Sequence, residues 1–249
     1  MTWLEPPPGA DHSSEVLVLG GFQLWRSGSE QVGIPRASQR LLALLAIRGG
    51  VTSRAAVAGT LWPDTTEIKA CSNLRSALAR LNCPCRKMLQ VSKLELGLAK
   101  DVTVDICYAQ RLARRLLDPA VTPEQSDLSP AAIVILSSDL LPGWYDDWVL
   151  VEAEDWRQLR LHALETLADR LTAVGRWGQA ADAATAAVRA EPLRESAHAV
   201  LIQVHLAEGN QSEAVRQFTR YRALLYAELG LEPTLRLRRL IQGLQRQSQ

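Results

Sequence analysis

The sequence predicts an α+β segment at the N-terminus followed by an all-α segment built from paired helices. Three observations carry that prediction. Apolar residues alternate with a period of two around Val16–Trp25 and again around Leu89–Leu98, and recur at helical spacing over most of the rest. Charge is segregated: residues 1–104 hold 12 Lys and Arg against 8 Asp and Glu, whereas residues 105–249 hold 16 against 19. Gly175 and Gly209 stand 34 residues apart, as do Ala180 and Ala214, which is the tetratricopeptide period.

A chain of 249 residues suggests one large domain or two ordinary ones, and 47% hydrophobic with 22% charged residues is a globular composition. No apolar run approaches the length that spans a bilayer. The opening M-T-W-L-E-P-P-P-G-A-D-H lacks the basic and apolar regions of a signal peptide. Residues 1–14 are therefore expected to be a flexible leader, and the protein cytoplasmic. Cys83-Pro-Cys85 is too closely spaced for a zinc pair and has no neighbouring His, so no metal or cofactor is expected.

Taken in order, V-L-V-L-G-G-F-Q-L-W reads as a β-hairpin turning at Gly20-Gly21. That glycine pair is a turn and not a phosphate loop, because neither G-x-G-x-x-G nor G-K-[ST] follows. Val32 to Ile34, after a turn at Ser27 to Ser29, adds a strand. Leu41, Leu42, Leu45 and Ala46 then mark a helix from Ser38 to Ile47 that stops at Gly49-Gly50. Thr52-Ser53 caps a second helix running through Leu61, which Pro63 ends.

The first half is organised around Asp64 to Leu81, D-T-T-E-I-K-A-C-S-N-L-R-S-A-L-A-R-L. On a helix, Ala70, Cys71, Leu74, Ala77, Leu78 and Leu81 form one apolar stripe. Lys69, Ser72, Asn73, Arg75, Ser76 and Arg80 fall on the flanks and far side, with no carboxylate after Glu67. Asp64 with Glu67 has capping-box spacing. Solvated helix faces usually mix both charge signs. An unmixed face of Arg, Lys, Asn and Ser suits base edges and phosphates in a major groove. The alternative is an ordinary amphipathic helix that is rich in Arg, and the surroundings must decide.

Those surroundings are informative. After an Arg86-Lys87 pair, Leu89, Val91, Leu94, Leu96 and Leu98 read as two strands around Ser92-Lys93. Hairpin, three helices and hairpin is the order of a helix-turn-helix with a β-wing, whose third helix enters the major groove. The blocks S-Q-R-L-L-A-L-L-A, V-T-S-R-A-A-V-A-G-T-L-W and S-N-L-R-S-A-L-A-R-L resemble the three helices of the OmpR-type winged helix in SARP-type transcriptional activators, the antibiotic regulatory proteins. One departure is that the family's wing usually turns on a Gly, whereas Ser92-Lys93 makes the turn here and Gly97 lies downstream.

Residues 105–249 read as helical: an amphipathic helix at Asp105–Leu117, a loop at Thr122–Pro130, then L-L-P-G-W-Y-D-D-W introducing a long helix to Val174. W-V-L-V-E-A-E-D-W-R-Q-L-R-L-H-A-L-E, A-E-P-L-R-E-S-A-H and Y-A-E-L-G-L-E-P-T-L-R-L-R-R-L resemble landmarks of the bacterial transcriptional activator domain in the same family. The fold class is thus an α+β N-terminal winged helix followed by an all-α tetratricopeptide-like helical domain, divided as 1–14, 15–104 and 105–249. The nucleotide-binding and sensor modules of longer family members are expected to be missing.

Several side chains have plainer readings. Trp62, Trp148 and Trp156 suit packing. His162, His198 and His205 lack metal spacing, and Asp146-Asp147 favours the start of a helix and not a carboxylate dyad. The candidate DNA contacts are Ser72, Asn73, Ser76 and either Arg75 or Lys69 toward bases, and Arg80, Arg86, Lys87 and Lys93 toward phosphates, with Ser53 and Arg54 joining the latter. The resemblance implies an activator that binds promoter direct repeats as a side-by-side homodimer and recruits RNA polymerase holoenzyme with its sigma factor. Its expected setting is a secondary-metabolite gene cluster at the nucleoid, and Asp64 and Thr65 are the expected polymerase contacts. A helical-repeat scaffold whose basic domain holds some other polyanion, without activation, is the competing class. No nucleophile–base set or phosphate loop supports an enzyme.

Overall fold

The computed structural model describes residues 14–26, 30–81 and 83–247. Most of the expected leader, residues 1–13, and the Ser27 to Ser29 turn lie outside those residues. Ser14 is not leader but sheet edge, its carbonyl accepting from Thr103 N at 2.9 Å. The described residues are mostly helical, with their strands confined to the first 104 positions. They divide into two compact units, one reaching Ala109 and including Asp139–Trp156, the other holding Gln110–Ser138 and the chain from Arg157 onward.

In the first unit, β1 (Glu15–Leu17) and β2 (Gln23–Arg26) form the expected antiparallel hairpin, with Val16 opposite Leu24. Gly20 and Gly21 both take positive φ, at 74° and 131°, which is why the turn uses glycine. The third strand, β3, is Glu30–Gln31 and not Val32 to Ile34, because Val32 leaves the ladder after donating one bond to Leu24 O. A short strand numbered β7, Thr103–Val104, closes the other edge parallel to β1, an addition that two residues of sequence could not announce. Helix α1 (Arg36–Arg48) buries Leu41 through Ile47.

A second, three-stranded sheet follows. It consists of β4 (Val51–Ser53), β5 (Leu89–Val91) and β6 (Glu95–Leu98), with β6 in the middle. Between β4 and β5 lie α2 (Arg54–Leu61), α3 (Glu67–Ala79) and the short α4 (Cys83–Lys87). Leu94 belongs to the turn and not to a strand.

The segment Asp139–Trp156 also packs in this unit, although it lies well past residue 105. Leu141 N donates to Val18 O at 2.8 Å, and Gly20 N donates to Asp139 O at 2.7 Å. Leu140, Leu141 and Trp144 are buried, and the Arg36 guanidinium lies 3.6 Å from the Trp144 ring centroid. Asp146 does more than favour a helix start, because it pairs with Arg40 at 2.5 Å.

The second unit is built from helices. They are α5 (Asp105–Leu117, from residue 110), α6 (Pro130–Ser137), α7 (Asp147–Ala173, from residue 157), α8 (Trp177–Ala190), α9 (Glu195–Ala207), α10 (Gln211–Leu229) and α11 (Leu235–Gln247). The α6 helix was not expected. Ser129 caps it by accepting from Ala132 N, and Pro130 supplies a first residue with no N–H to satisfy, so the expected loop ends at 129. Helix α9 packs against both α8 and α10. The 34-residue period reappears in the backbone: Gly175 and Gly209 have φ of 75° and 85°, and Ala180 and Ala214 are both fully buried. Tyr221, Leu225, Leu237 and Ile241 close the core around Ile202.

Candidate nucleic-acid interface

Helix α3 divides as its apolar period requires. Ala70, Leu74, Ala77 and Leu78 are buried, Leu81 is buried just beyond the helix, and Cys71 is half-buried. Ser38 of α1 fixes the inner side by donating its hydroxyl to Ala77 O at 2.9 Å. With one face held, Lys69, Ser72, Arg75, Ser76 and Arg80 stand exposed, and Asn73 is half-buried on the flank. The structure therefore sets Lys69, Ser72, Arg75 and Ser76 on the outer side of a single helix, with Asn73 at its flank and Arg80 at its C-cap.

The start of α3 corrects the capping expectation. The N-cap is Thr66, with no side-chain cap bond, and Glu67 is the first helical residue rather than the third. Asp64 is consumed by the preceding turn, where Thr65 N and Thr65 Oγ1 both donate to Trp62 O, at 3.3 and 3.1 Å. Proline at 63 favours that turn over one more helical residue. The helix also ends at Ala79, two positions early, with Arg80 as C-cap. Asp64 is exposed and Thr65 half-buried.

Ser53 caps α2 as expected, accepting from Ala56 N at 3.2 Å. The adjoining Arg54 is tied to the turn between β5 and β6. Its N–H donates to Leu94 O at 2.9 Å and its Nη1 to Ser92 O at 3.4 Å. Ser92 replaces the missing turn glycine chemically: its hydroxyl accepts from Leu94 N at 3.3 Å and Glu95 N at 2.9 Å. Lys93 stands exposed at this turn, and Arg86 and Lys87 are exposed in the last turn of α4, where cations suit the helix dipole. Gly97 also has a local reason. A Cβ there would lie 2.6 Å from Gly50 O, so the close passage of β4 requires glycine.

Sequence reasoning missed Ile68. It is 82% exposed in the first turn of α3, and its apolar side chain lies off the buried stripe among polar neighbours. The signal that could have found it is that misplacement on the helical wheel.

Residues 104–245 match the model of the bacterial transcriptional activator domain. The chain belongs to the SARP-type family that carries this domain. Among curated relatives, this SARP-type chain is 28% identical to regulatory protein AfsR of Streptomyces coelicolor, over 90% of its own length and 23% of that protein. It is likewise 28% identical to regulatory protein AfsR of Streptomyces griseus, over 96% of its length and 25% of that protein. The chain thus spans about a quarter of the curated relatives it matches. Mycobacterium tuberculosis EmbR, solved in complex with a low affinity phosphopeptide, matches in fold with a TM-score of 0.67 at 22% identity, covering 95% of this chain and 66% of that one. Membership points to regulation of transcription and not to catalysis. Among the described residues no helix is long and apolar enough to cross a membrane.

Proposed function

We propose that this SARP-type chain is a sequence-specific DNA-binding transcriptional activator, with residues 15–104 acting as a winged helix and residues 105–249 as a tetratricopeptide-like activator domain. One observation carries the reading: the outer side of α3 offers Lys69, Ser72, Asn73, Arg75, Ser76 and Arg80 with no acid among them, while its inner stripe is buried. Such a face costs self-repulsion in water and is matched by a polyanion. Residues Ser72, Asn73, Ser76 and Arg75 or Lys69 approach base edges in the major groove. Arg80, Arg86, Lys87, Lys93, Arg54 and the Ser53 end of α2 hold phosphates.

Two protomers facing the same way along the duplex would read direct repeats about one turn, roughly 10–10.5 bp, apart. Polymerase holoenzyme with its sigma factor meets Asp64 and Thr65 in the turn before α3. The protein works in the cytoplasm at the nucleoid, on promoters of a secondary-metabolite cluster.

A salt-titrated gel shift with footprinting tests the reading. Arg86→Ala or Lys93→Ala should lower the salt slope by about 1 and weaken all sequences alike. Asn73→Ala should relax preference at one position by about 1–3 kcal/mol. Binding untouched by both kinds of variant removes the assigned docking, and binding without any footprint favours the polyanion scaffold. Because Asp64 does not cap α3, Asp64→Lys separates the two partners cleanly: DNA affinity should hold while transcription in vitro falls.

A further inference from the structure

Ile68 lies off the buried stripe of α3 and contributes nothing to the core. At 100° per residue it shares a flank with Ser72, Arg75 and Ala79, with Lys69 beside it. It is 82% exposed, so packing does not explain an isoleucine there. Scattered exposed apolar residues are ordinary on protein surfaces, but this one has Lys69 next to it and Ser72 one turn on, at the end of the helix that reaches bases in helix-turn-helix docking. In the major groove, the apolar feature of a base pair is the C5-methyl of thymine. A β-branched side chain, stiff at χ1, meets such a methyl with little loss of rotamer freedom.

We propose that Ile68 is a specificity-determining residue that selects thymine, through its C5-methyl, at one position of each half-site. The inference rests on the reading of α3 as a major-groove helix and adds to it an apolar element of recognition among the polar ones. The place of Ile68 one turn before Ser72, on the helix that this reading sets in the major groove, favours duplex DNA over a protein partner as its occupant.

Deoxyuridine scanning of a footprinted site tests this, since uracil lacks only the methyl and keeps its hydrogen-bonding edges. Each thymine is replaced singly, and affinities of the wild type and Ile68→Ala are measured at two salt concentrations. Burying one methyl-sized group corresponds to about 0.8 kcal/mol, or about fourfold in affinity. The wild type should lose about fourfold at one position per half-site. Ile68→Ala should bind thymine and uracil there equally, with an unchanged salt slope and an unchanged melting temperature.

A wild type that footprints the site yet shows no Ile68-dependent uracil effect overturns the proposal and leaves the DNA-binding reading standing. A wild type with no sequence-selective footprint overturns both. Intact DNA affinity of Ile68→Ala at every position, with loss of polymerase-dependent transcription, reassigns the side chain to a protein contact and overturns the proposal as well.

Discussion

Asp105 and His198 illustrate how much of the molecule turns on single polar side chains inside it. The Asp105 carboxylate accepts from the N–H groups of Val18, Leu19 and Ile106, at 2.7 to 3.0 Å. Burial nevertheless outweighs these donors and pushes its pKa up to about 6. A carboxyl that binds its proton more tightly when folded stabilises the fold at low pH and loses that contribution as pH rises through about 6. The difference is on the order of 3 kcal/mol across the interval from about 4 to 6. Urea midpoints of wild type and Asp105→Asn at pH 5 and pH 7 should reveal it, with the variant less stable at both and its pH slope flattened.

His198 has the opposite sign. Burial lowers its pKa, and its ring donates Nε2–H to Pro192 O at 2.9 Å while Nδ1 accepts from Gln217 Nε2 at 2.8 Å. The neutral ring is thus the one the fold requires. Its contribution is present above the unfolded value and lost as pH falls through the lowered one. Amide exchange in α9 and α10, relative to its intrinsic rate, should quicken as pH falls below the ordinary histidine range, and a flat profile would remove this account. Neither role was legible in the sequence, where Asp105 is only the first residue of a helix and His198 one apolar-flanked histidine.

Elements were more legible than their joints. The α3 stripe and the β5–β6 hairpin follow from periodicity, because burial on one side dictates spacing. Strands as short as β4 and β7 leave no period to detect, and α3 starts only at Glu67 because Asp64 lies in the turn that follows Trp62. Packing of the small sheet depends on Gly97. Gly97→Ala would force Gly50 O from its place, at a cost of roughly 1–3 kcal/mol. It should disturb the β4–β6 pairing and lower the melting temperature. Ser53→Ala removes the cap of α2 and should cost about 1 kcal/mol, measurable as a shifted urea midpoint with the salt slope of DNA binding nearly retained.

For the molecule as a whole, the order of residues along the chain does not match the order of packing. Charge segregation and the 34-residue period were visible beforehand, but nothing in L-L-P-G-W announced that Leu140, Leu141 and Trp144 would be buried with β1 and α1. Trp144→Ala, about 40 positions beyond β7, should therefore destabilise the first unit by about 3–5 kcal/mol. The measurement is amide protection in β1 and α1, and unchanged protection there would refute it. Mapping regulators by deleting everything after a suspected linker assumes that each remaining part keeps its own interior. A stop codon at 105 would take away the aromatic ring under Arg36 and the carboxylate against Arg40, and an allele silenced that way would be mistaken for one that binds its promoter and fails to activate.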